Sequence, residues 1–187
     1  DCVQGMRVGV PKEFFANDLN SAVAETIEAS LKELEKLGAK LVDVSLPSTS
    51  LGVSTYYVIA PAEASANLSR YDGVRYGYRC DNPTDLQDLY LRSRTEGFGE
   101  EVKRRILIGA FTLSAASYDQ YFMKAQQVRR LISQEYEDVL SKVDVIAGPS
   151  APNTAFALND SSKSITDMYM EDVFTIGANL TGLPAMS

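Results

Sequence analysis

The apolar positions near the start of the chain change their period twice, which predicts a strand, a helix and a second strand. "MRVGVP" is a short apolar run that ends at Pro11, because proline cannot donate to a strand ladder. Between residues 19 and 37 the apolar side chains recur every three or four positions, and capping residues are available from Asn17 to Ser21. "KLVDVSLP" then alternates in the manner of a strand, with its apolar face formed by Val42, Val44 and Leu46. This order predicts two parallel strands joined by a helical crossover.

The middle of the chain is predicted to be helical. "STYYVIAPAEASANLSRYDG" is rich in alanine and ends in a turn at Gly73. Thr84-Asp85-Leu86-Gln87 has the form of a capping box and predicts a helix that runs to about Thr95. Ser117-Tyr118-Asp119-Gln120 repeats that form ahead of a long helix. The predicted inner stripe of the long helix consists of Tyr121, Ala125, Val128, Leu131, Ile132, Tyr136, Val139 and Leu140.

The last third of the chain predicts one more strand and one more helix. "VDVIAGPSAP" begins as a fully apolar run, which favours a strand in the middle of a sheet covered on both faces. A final helix is predicted from about Thr166 to Leu180, before Gly182. The pattern as a whole predicts an α/β fold in one domain over residues 1–187. Because the chain lacks an initiating methionine and stops at "TGLPAMS", where a strand would be expected next, we expect it to be part of a longer protein.

Composition narrows the possible functions. The net charge is −7, with 25 acidic against 18 basic residues, which argues against a nucleic-acid surface on this chain. The chain contains no histidine, so it cannot supply a Ser-His-Asp triad, a Cys-His pair or imidazole metal ligands. No Walker A or G-x-G-x-x-G motif is present. Cys2 and Cys80 form no metal-binding pattern, and without a spanning segment or signal peptide we expect a cytoplasmic protein.

"EEVKRRILIGAF" places two arginines one helical turn after two glutamates. At about 100° per residue, Arg105 lies at the margin of an inner face, beside Gly109, whereas Arg104 points outward next to Glu100. Arg105 therefore has two interpretations. It either binds a planar anion such as a carboxylate, or it forms an ordinary ion pair with Glu101. The inner face of this helix is predicted from Val102, Ile106, Ala110 and Leu113.

Three further candidates each have a plainer alternative. Asp172, in "MYMEDVF", could accept from an ammonium group or could lie on a solvated helix face. Ser150, in "GPSAP", lacks a G-x-S-x-G elbow and any histidine, which argues against a nucleophile. A group of tyrosines could line a polar pocket or could simply complete a helix and its turn. The group comprises Tyr56, Tyr57, Tyr71, Tyr76 and Tyr78.

Six stretches in chain order resemble the amidase signature family, and within it the glutaminase subunits of bacterial tRNA-dependent amidotransferases. They are "GMRVGVPKEFF", "YYVIAPAEASANLSRYDGVRYG", "SRTEGFGEEVKRRILIGAFTLS", "YDQYFMKAQQVRRLI", "DVIAGPSAPNTAF" and "NLTGLPAMS". The resemblance implies a mixed β-sheet flanked by helices on both faces. It also implies that the whole subunit hydrolyses the side-chain amide of glutamine. The ammonia would serve partner subunits B and C, where ATP and Mg are used to convert Glu-tRNA(Gln) to Gln-tRNA(Gln).

The resemblance also implies which residues this chain contributes. The family uses two serines and a lysine, and these lie before the matched segment, so no catalytic residue is expected here and the chain alone should be inactive. By matching motifs, Arg105 would bind the α-carboxylate of glutamine, Asp172 its α-ammonium group, and Tyr56 would close the pocket. No metal or cofactor is implied on this chain. Arg104 and Tyr57 are the neighbouring alternatives.

Two other functions remain open from the sequence. The first is a different amidase-signature hydrolase that acts on small amides, and the second is a non-catalytic α/β binding module. We also expect the isolated chain to self-associate, because a partial domain leaves sheet edges and apolar surface uncovered.

Overall fold

The computed structural model of the protein describes residues 3–16, 19–158 and 164–187. The strands are β1 (Arg7–Pro11), β2 (Lys40–Val44) and β3 (Val145–Ile146). The helices are α1 (Ser21–Lys36), α2 (Gly52–Leu68), α3 (Leu86–Gly97), α4 (Glu100–Thr112), α5 (Lys124–Leu140), α6 (Ile165–Met170) and α7 (Ile176–Thr181). The chain divides into two compact units, unit 1 (Asp1–Ser54 and Val128–Ser187) and unit 2 (Thr55–Gln127). The predicted α/β class is confirmed, and the single domain over 1–187 stays a prediction.

Unit 1 contains a three-stranded parallel sheet in the order β2-β1-β3. Val8 of β1 lies opposite Leu41 of β2 and Val145 of β3, so the predicted parallel pair of first and second strands is confirmed. The expectation that "VDVIAG" forms a central strand is wrong. In the described residues β3 pairs only with β1, spans two residues, and leaves Val145 39% exposed. The central strand is β1, whose Val8 is 1% exposed.

The sheet is covered by α1 because that helix carries the apolar stripe seen in the sequence. Val8, Leu31 and Ala39 form a buried cluster, and the residues packed around it include Met6, Val10, Phe15, Ile27, Leu34 and Leu41. The helix is capped by Asn20, whose Oδ1 accepts from the Ala22 amide at 2.9 Å. The predicted capping window contained this residue, while Asn17 lies outside the described residues.

Unit 2 consists of helices, and the cap of α3 is shifted from its predicted position. Asp85 caps α3 by accepting from the Asp88 amide at 2.8 Å, and Asp88 accepts from the Thr84 amide at 2.9 Å. Thr84 was predicted as the cap and is wrong by one residue. The carboxylate of Asp85 occupies the cap position, where a negative charge also interacts favourably with the helix N-terminus.

The segment before α5 differs from its prediction. Residues Tyr118–Met123 form a π-helical turn, and Ser117 makes no capping hydrogen bond through its side chain. This turn changes the register of the side chains relative to one continuous α-helix. Tyr121 is 44% exposed and Leu131 is 58% exposed, so these two do not belong to the core as predicted. The buried part of the predicted stripe consists of Ala125, Ile132, Tyr136 and Val139.

The predicted helix from Thr166 to Leu180 is two short helices, α6 and α7, separated by a turn at 171–175. A capping box between Ser164 and Asp167 starts α6. The turn allows Phe174 to pack edge-on against Phe14, with ring centroids 5.4 Å apart, and this contact accounts for the break. Gly182 ends α7 with a φ of 72°, as predicted.

Candidate functional site

Helices α2 and α4 bring the first two predicted site residues together within unit 2. Tyr56 and Tyr57 are consecutive residues of α2, and their rings meet edge to face with centroids 5.0 Å apart. Arg105 lies in the second turn of α4. Its Nη1 donates to the Tyr56 hydroxyl at 3.3 Å, and its guanidinium carbon lies 5.5 Å from the centre of the Tyr57 ring. Each of these contacts joins α4 to α2.

The α4 ion pairs differ in part from the expected pattern. Arg105 Nε donates to Glu101 Oε1 at 3.0 Å, so the predicted i,i+4 ion pair is confirmed. Arg104 donates to the other oxygen of Glu101 and not to Glu100, which pairs with Lys103 at 2.6 Å. Glu101 therefore contacts both arginines. The i,i+3 geometry brings Arg104 within reach of the same carboxylate.

Arg105 is held in a partly buried position, with 30% of its side chain exposed. Partial burial by itself lowers the pKa of Arg105, but the hydrogen bonds to Glu101 and Tyr56 outweigh it and raise the pKa above its ordinary value. The guanidinium therefore stays charged at any pH at which the protein is folded. It has five N–H donors, of which Glu101 and Tyr56 take two. Among the described residues no partner is found for the other three.

The space beside Gly109 is used for helix packing and not for an anion, contrary to the sequence interpretation. A Cβ at Gly109 would lie 2.0 Å from the Pro61 carbonyl oxygen and 2.6 Å from the Ser65 Cβ. Only glycine allows this close approach of α4 to α2. The predicted inner face is also shifted, since Gly109 and Thr112 are buried whereas Ala110 and Leu113 are exposed.

Asp172 belongs to unit 1 and lies in the turn between α6 and α7, not on a helix as predicted. It is exposed, which agrees with the solvated alternative. Its carbonyl accepts from the Thr175 hydroxyl at 3.0 Å and from the Ile176 amide at 3.1 Å. No side-chain partner for its carboxylate is found in the described part of the chain. The structure thus joins Tyr56 and Arg105 within one unit and places the third predicted residue in the other.

The remaining tyrosines complete a helix and a turn, and they do not line a pocket. Tyr71, Tyr76 and Tyr78 are 43%, 56% and 50% exposed. The rings of Tyr71 and Tyr76 lie 6.0 Å apart. Tyr78 donates to Glu96 at 2.7 Å, and this hydrogen bond raises the pKa of Tyr78. Their positions after α2 agree with the plainer interpretation of the tyrosine group.

Sequence reasoning missed an apolar groove of about 770 Å³ in unit 2, between α3 and α4. Its apolar lining includes Leu86, Tyr90, Leu91, Phe98, Ile106 and Leu107. Leu91 and Leu107 are 66% and 71% exposed. The signal was present in the sequence, because "LQDLYLRS" carries leucines on more than one side of its helix. Leucines on several sides of an exposed helix indicate a surface that packs against something else.

Two plain findings limit the chemistry of the described residues. They contain no group of three or more aspartate, glutamate, cysteine or histidine side chains placed to hold a metal ion. Ser150 is exposed in the loop after β3. In the same residues, none of the helices combines the length and the apolar character that a membrane span requires.

The parallel sheet, the helices and the paired α2 and α4 residues agree with the family resemblance. The sequence matches the Amidase family over residues 2–187, and the chain belongs to that family. It is 60% identical over 187 residues to the A subunit of the glutamyl-tRNA(Gln) amidotransferase of Alcanivorax borkumensis. That match covers 100% of this chain and 38% of the relative. The corresponding A subunit of Saccharophagus degradans is 60% identical over 183 residues, which cover 98% of this chain and 38% of the relative.

Solved structures show the same likeness. The crystal structure of the glutamyl-tRNA(Gln) amidotransferase A subunit from Thermotoga maritima matches with a TM-score of 0.67 and 44% identity, covering 99% of this chain and 36% of that one. The crystal structure of an amidase with 21% identity matches with a TM-score of 0.71, over 100% of this chain and 40% of that one, and supports the fold alone. The chain spans well under half the length of these relatives.

Proposed function

We propose that this chain is the substrate-binding portion of a glutaminase subunit of a tRNA-dependent amidotransferase. In this role Arg105 binds the α-carboxylate of glutamine, Asp172 binds the α-ammonium group, and Tyr56 closes the pocket. The observation that carries the proposal is the state of Arg105, a fixed and partly buried cation with N–H donors left for a further acceptor. Such a fork suits a carboxylate. The name shared by relatives at 55–60% identity supports glutamine as the amide hydrolysed.

The same proposal extends to the partners of the complete subunit. Ammonia released from glutamine passes to subunits B and C of the amidotransferase, where ATP and Mg are used and Glu-tRNA(Gln) is converted to Gln-tRNA(Gln). The net charge of −7 supports contact with the tRNA chiefly through a partner subunit. The complex works in the cytoplasm. The chain by itself is inactive, since the two serines and the lysine of the family's chemistry are supplied from outside it.

The test is glutamine hydrolysis by the full-length polypeptide that contains this chain, assembled with its partner subunits. Arg105→Ala is expected to raise KM for glutamine roughly 10- to 150-fold, because a hydrogen bond to a charged group contributes about 1.5–3 kcal/mol. Arg104→Ala, the matched control one residue away, should change KM less than about threefold, because the side chain is 45% exposed and its ion pair is screened by water. KM is measured by ammonia release.

Other outcomes lead to different conclusions. A large effect of Arg104→Ala with none of Arg105→Ala would move the clamp to the neighbouring arginine. Asp172→Asn tests the ammonium role separately, and an unchanged KM would remove Asp172 from the site. Hydrolysis of simple amides without hydrolysis of glutamine would show a different amidase and would refute the proposed substrate.

A further inference from the structure

Glu101 connects the two arginines whose roles the sequence could not separate. Its Oε1 accepts from Arg105 Nε at 3.0 Å, and its Oε2 accepts from Arg104 Nη1. The carboxylate is 43% exposed and Arg104 is 45% exposed, so this side of the group faces solvent. Arg105 is the more buried of the two arginines. One carboxylate thus holds an outer arginine and an inner arginine at the same time.

The arrangement fixes the orientation of the Arg105 guanidinium through three contacts. Glu101 binds the Nε edge, the Tyr56 hydroxyl binds Nη1, and the guanidinium carbon lies 5.5 Å from the centre of the Tyr57 ring. An arginine side chain otherwise loses considerable rotamer freedom on binding a ligand. Three contacts made in advance reduce that loss. The donors that remain are one on Nη1 and two on Nη2, at the far end of the side chain.

The charges favour an anion at that end. Glu101 alone would repel a carboxylate, but Arg104 balances its charge on the outer side. Two arginines and one glutamate together carry a net charge of +1, and the unused donors are on Arg105. A carboxylate that approaches Nη2 therefore meets a cation whose counter-ion is already paired elsewhere.

We propose that Glu101 is a positioning residue for glutamine, which acts by holding Arg105 in the orientation that binds the α-carboxylate. Glu101 itself does not touch the substrate. This inference rests on the proposed function, and it adds a determinant of specificity for substrates that carry a free α-carboxylate. It predicts that Glu101 contributes to binding of glutamine and contributes nothing to an analogue in which that group is neutral.

The experiment compares two substrates in the full-length polypeptide assembled with its partner subunits. The substrates are glutamine and its α-methyl ester, and the readout is ammonia, which only the side-chain amide releases. Glu101→Ala is expected to raise KM for glutamine roughly three- to tenfold with kcat within about twofold, the range expected when one mobile side chain must be immobilised on binding. KM for the methyl ester should stay unchanged. Glu101→Gln, which keeps an oxygen acceptor for Arg105, should restore part of the loss.

Glu100→Ala is the matched control, because Glu100 is 86% exposed and its ion pair is with Lys103 and not with Arg105. It should leave KM for both substrates unchanged. An equal rise in KM for glutamine and for the ester, or an unchanged KM for glutamine in Glu101→Ala, would overturn the inference. If Arg105→Ala raises KM while Glu101→Ala does not, this inference alone fails. If wild-type protein releases no ammonia from glutamine, the proposed function fails with it.

Discussion

At the scale of single residues, Asp144 joins the start of β3 to the start of β1. It accepts hydrogen bonds from the Arg7 amide at 2.8 Å, from Arg7 Nε at 3.2 Å and from Arg7 Nη2 at 2.7 Å. The side-chain hydrogen bonds from Arg7, followed by the amide hydrogen bond, lower the pKa of Asp144 from 3.8 to about 2. The folded state therefore favours the ionised form, and this contribution to stability is present above about pH 4 and is lost as the pH falls through about 2.

We expect Asp144→Asn to lower the melting temperature at pH 7 and to have little effect near pH 2, where the wild-type carboxyl is largely protonated as well. The pair is about half exposed, so about 1 M salt should reduce the difference at pH 7. Thermal unfolding followed by circular dichroism at several pH values measures both effects. Asp43→Asn, at an exposed position of the neighbouring strand β2, is the control. A difference between wild type and Asp144→Asn that is the same at pH 7 and pH 2 would contradict this explanation.

The residues of the site were predictable to different degrees. The pair between Glu101 and Arg105 follows from helical spacing alone, because i,i+4 side chains on one helix always lie close together. The contact between Arg105 and Tyr56 joins positions 49 residues apart, and no local rule supplies it. It was reachable only through the family resemblance. The partner of Arg104 was wrong because i,i+3 and i,i+4 contacts are both available on a helix and compete.

At the scale of elements, the contact between α2 and α4 depends on Gly109. A Cβ there would meet the Pro61 carbonyl oxygen at 2.0 Å, and a backbone atom cannot move aside as the end of a side chain can. We expect Gly109→Ala to push the helices apart and to cost about 1–3 kcal/mol of stability, the usual range for overpacking. The separation would also lengthen the hydrogen bond between Arg105 and Tyr56. Denaturant unfolding measures the first effect and KM for glutamine the second.

The control for this prediction is Ala110→Ser, at the exposed position directly after Gly109. A surface change of that size should stay within about 0.5 kcal/mol of wild type. If Gly109→Ala is as stable as the control, the two helices have room that the structure does not indicate. If it is destabilised but binds glutamine normally, the helix contact is structural and does not position Arg105.

Elements with a strong local signal were predicted well, and those set by distant contacts were not. The stripe of α1 and the alternation of β2 each reflect one buried face, so their positions could be derived from the sequence. The break between α6 and α7 depends on Phe174 meeting Phe14, a contact between residues that are far apart in the chain. β3 looked central because it is apolar, but apolar character does not specify how many neighbours a strand has.

At the scale of the whole molecule, the apolar surface of unit 2 bears on the expected self-association. Leu86, Leu91 and Leu107 line the groove between α3 and α4 and are 62%, 66% and 71% exposed. Contiguous apolar surface of this kind favours association in water. We expect the isolated chain to form oligomers whose mass rises with concentration. Light scattering after size-exclusion chromatography measures that mass.

A double variant, Leu91→Gln with Leu107→Gln, tests whether the groove is the surface responsible. Both side chains are already well exposed, so the change should cost little stability while removing much of the apolar area that drives association. Leu37→Gln is the matched control, because Leu37 is 63% exposed but lies in unit 1 at the end of α1. We expect the double variant to shift the chain toward the monomer and the control to leave its mass unchanged. A wild-type chain that is monomeric at all concentrations would refute the expectation, and loss of association in Leu37→Gln alone would move the responsible surface out of the groove.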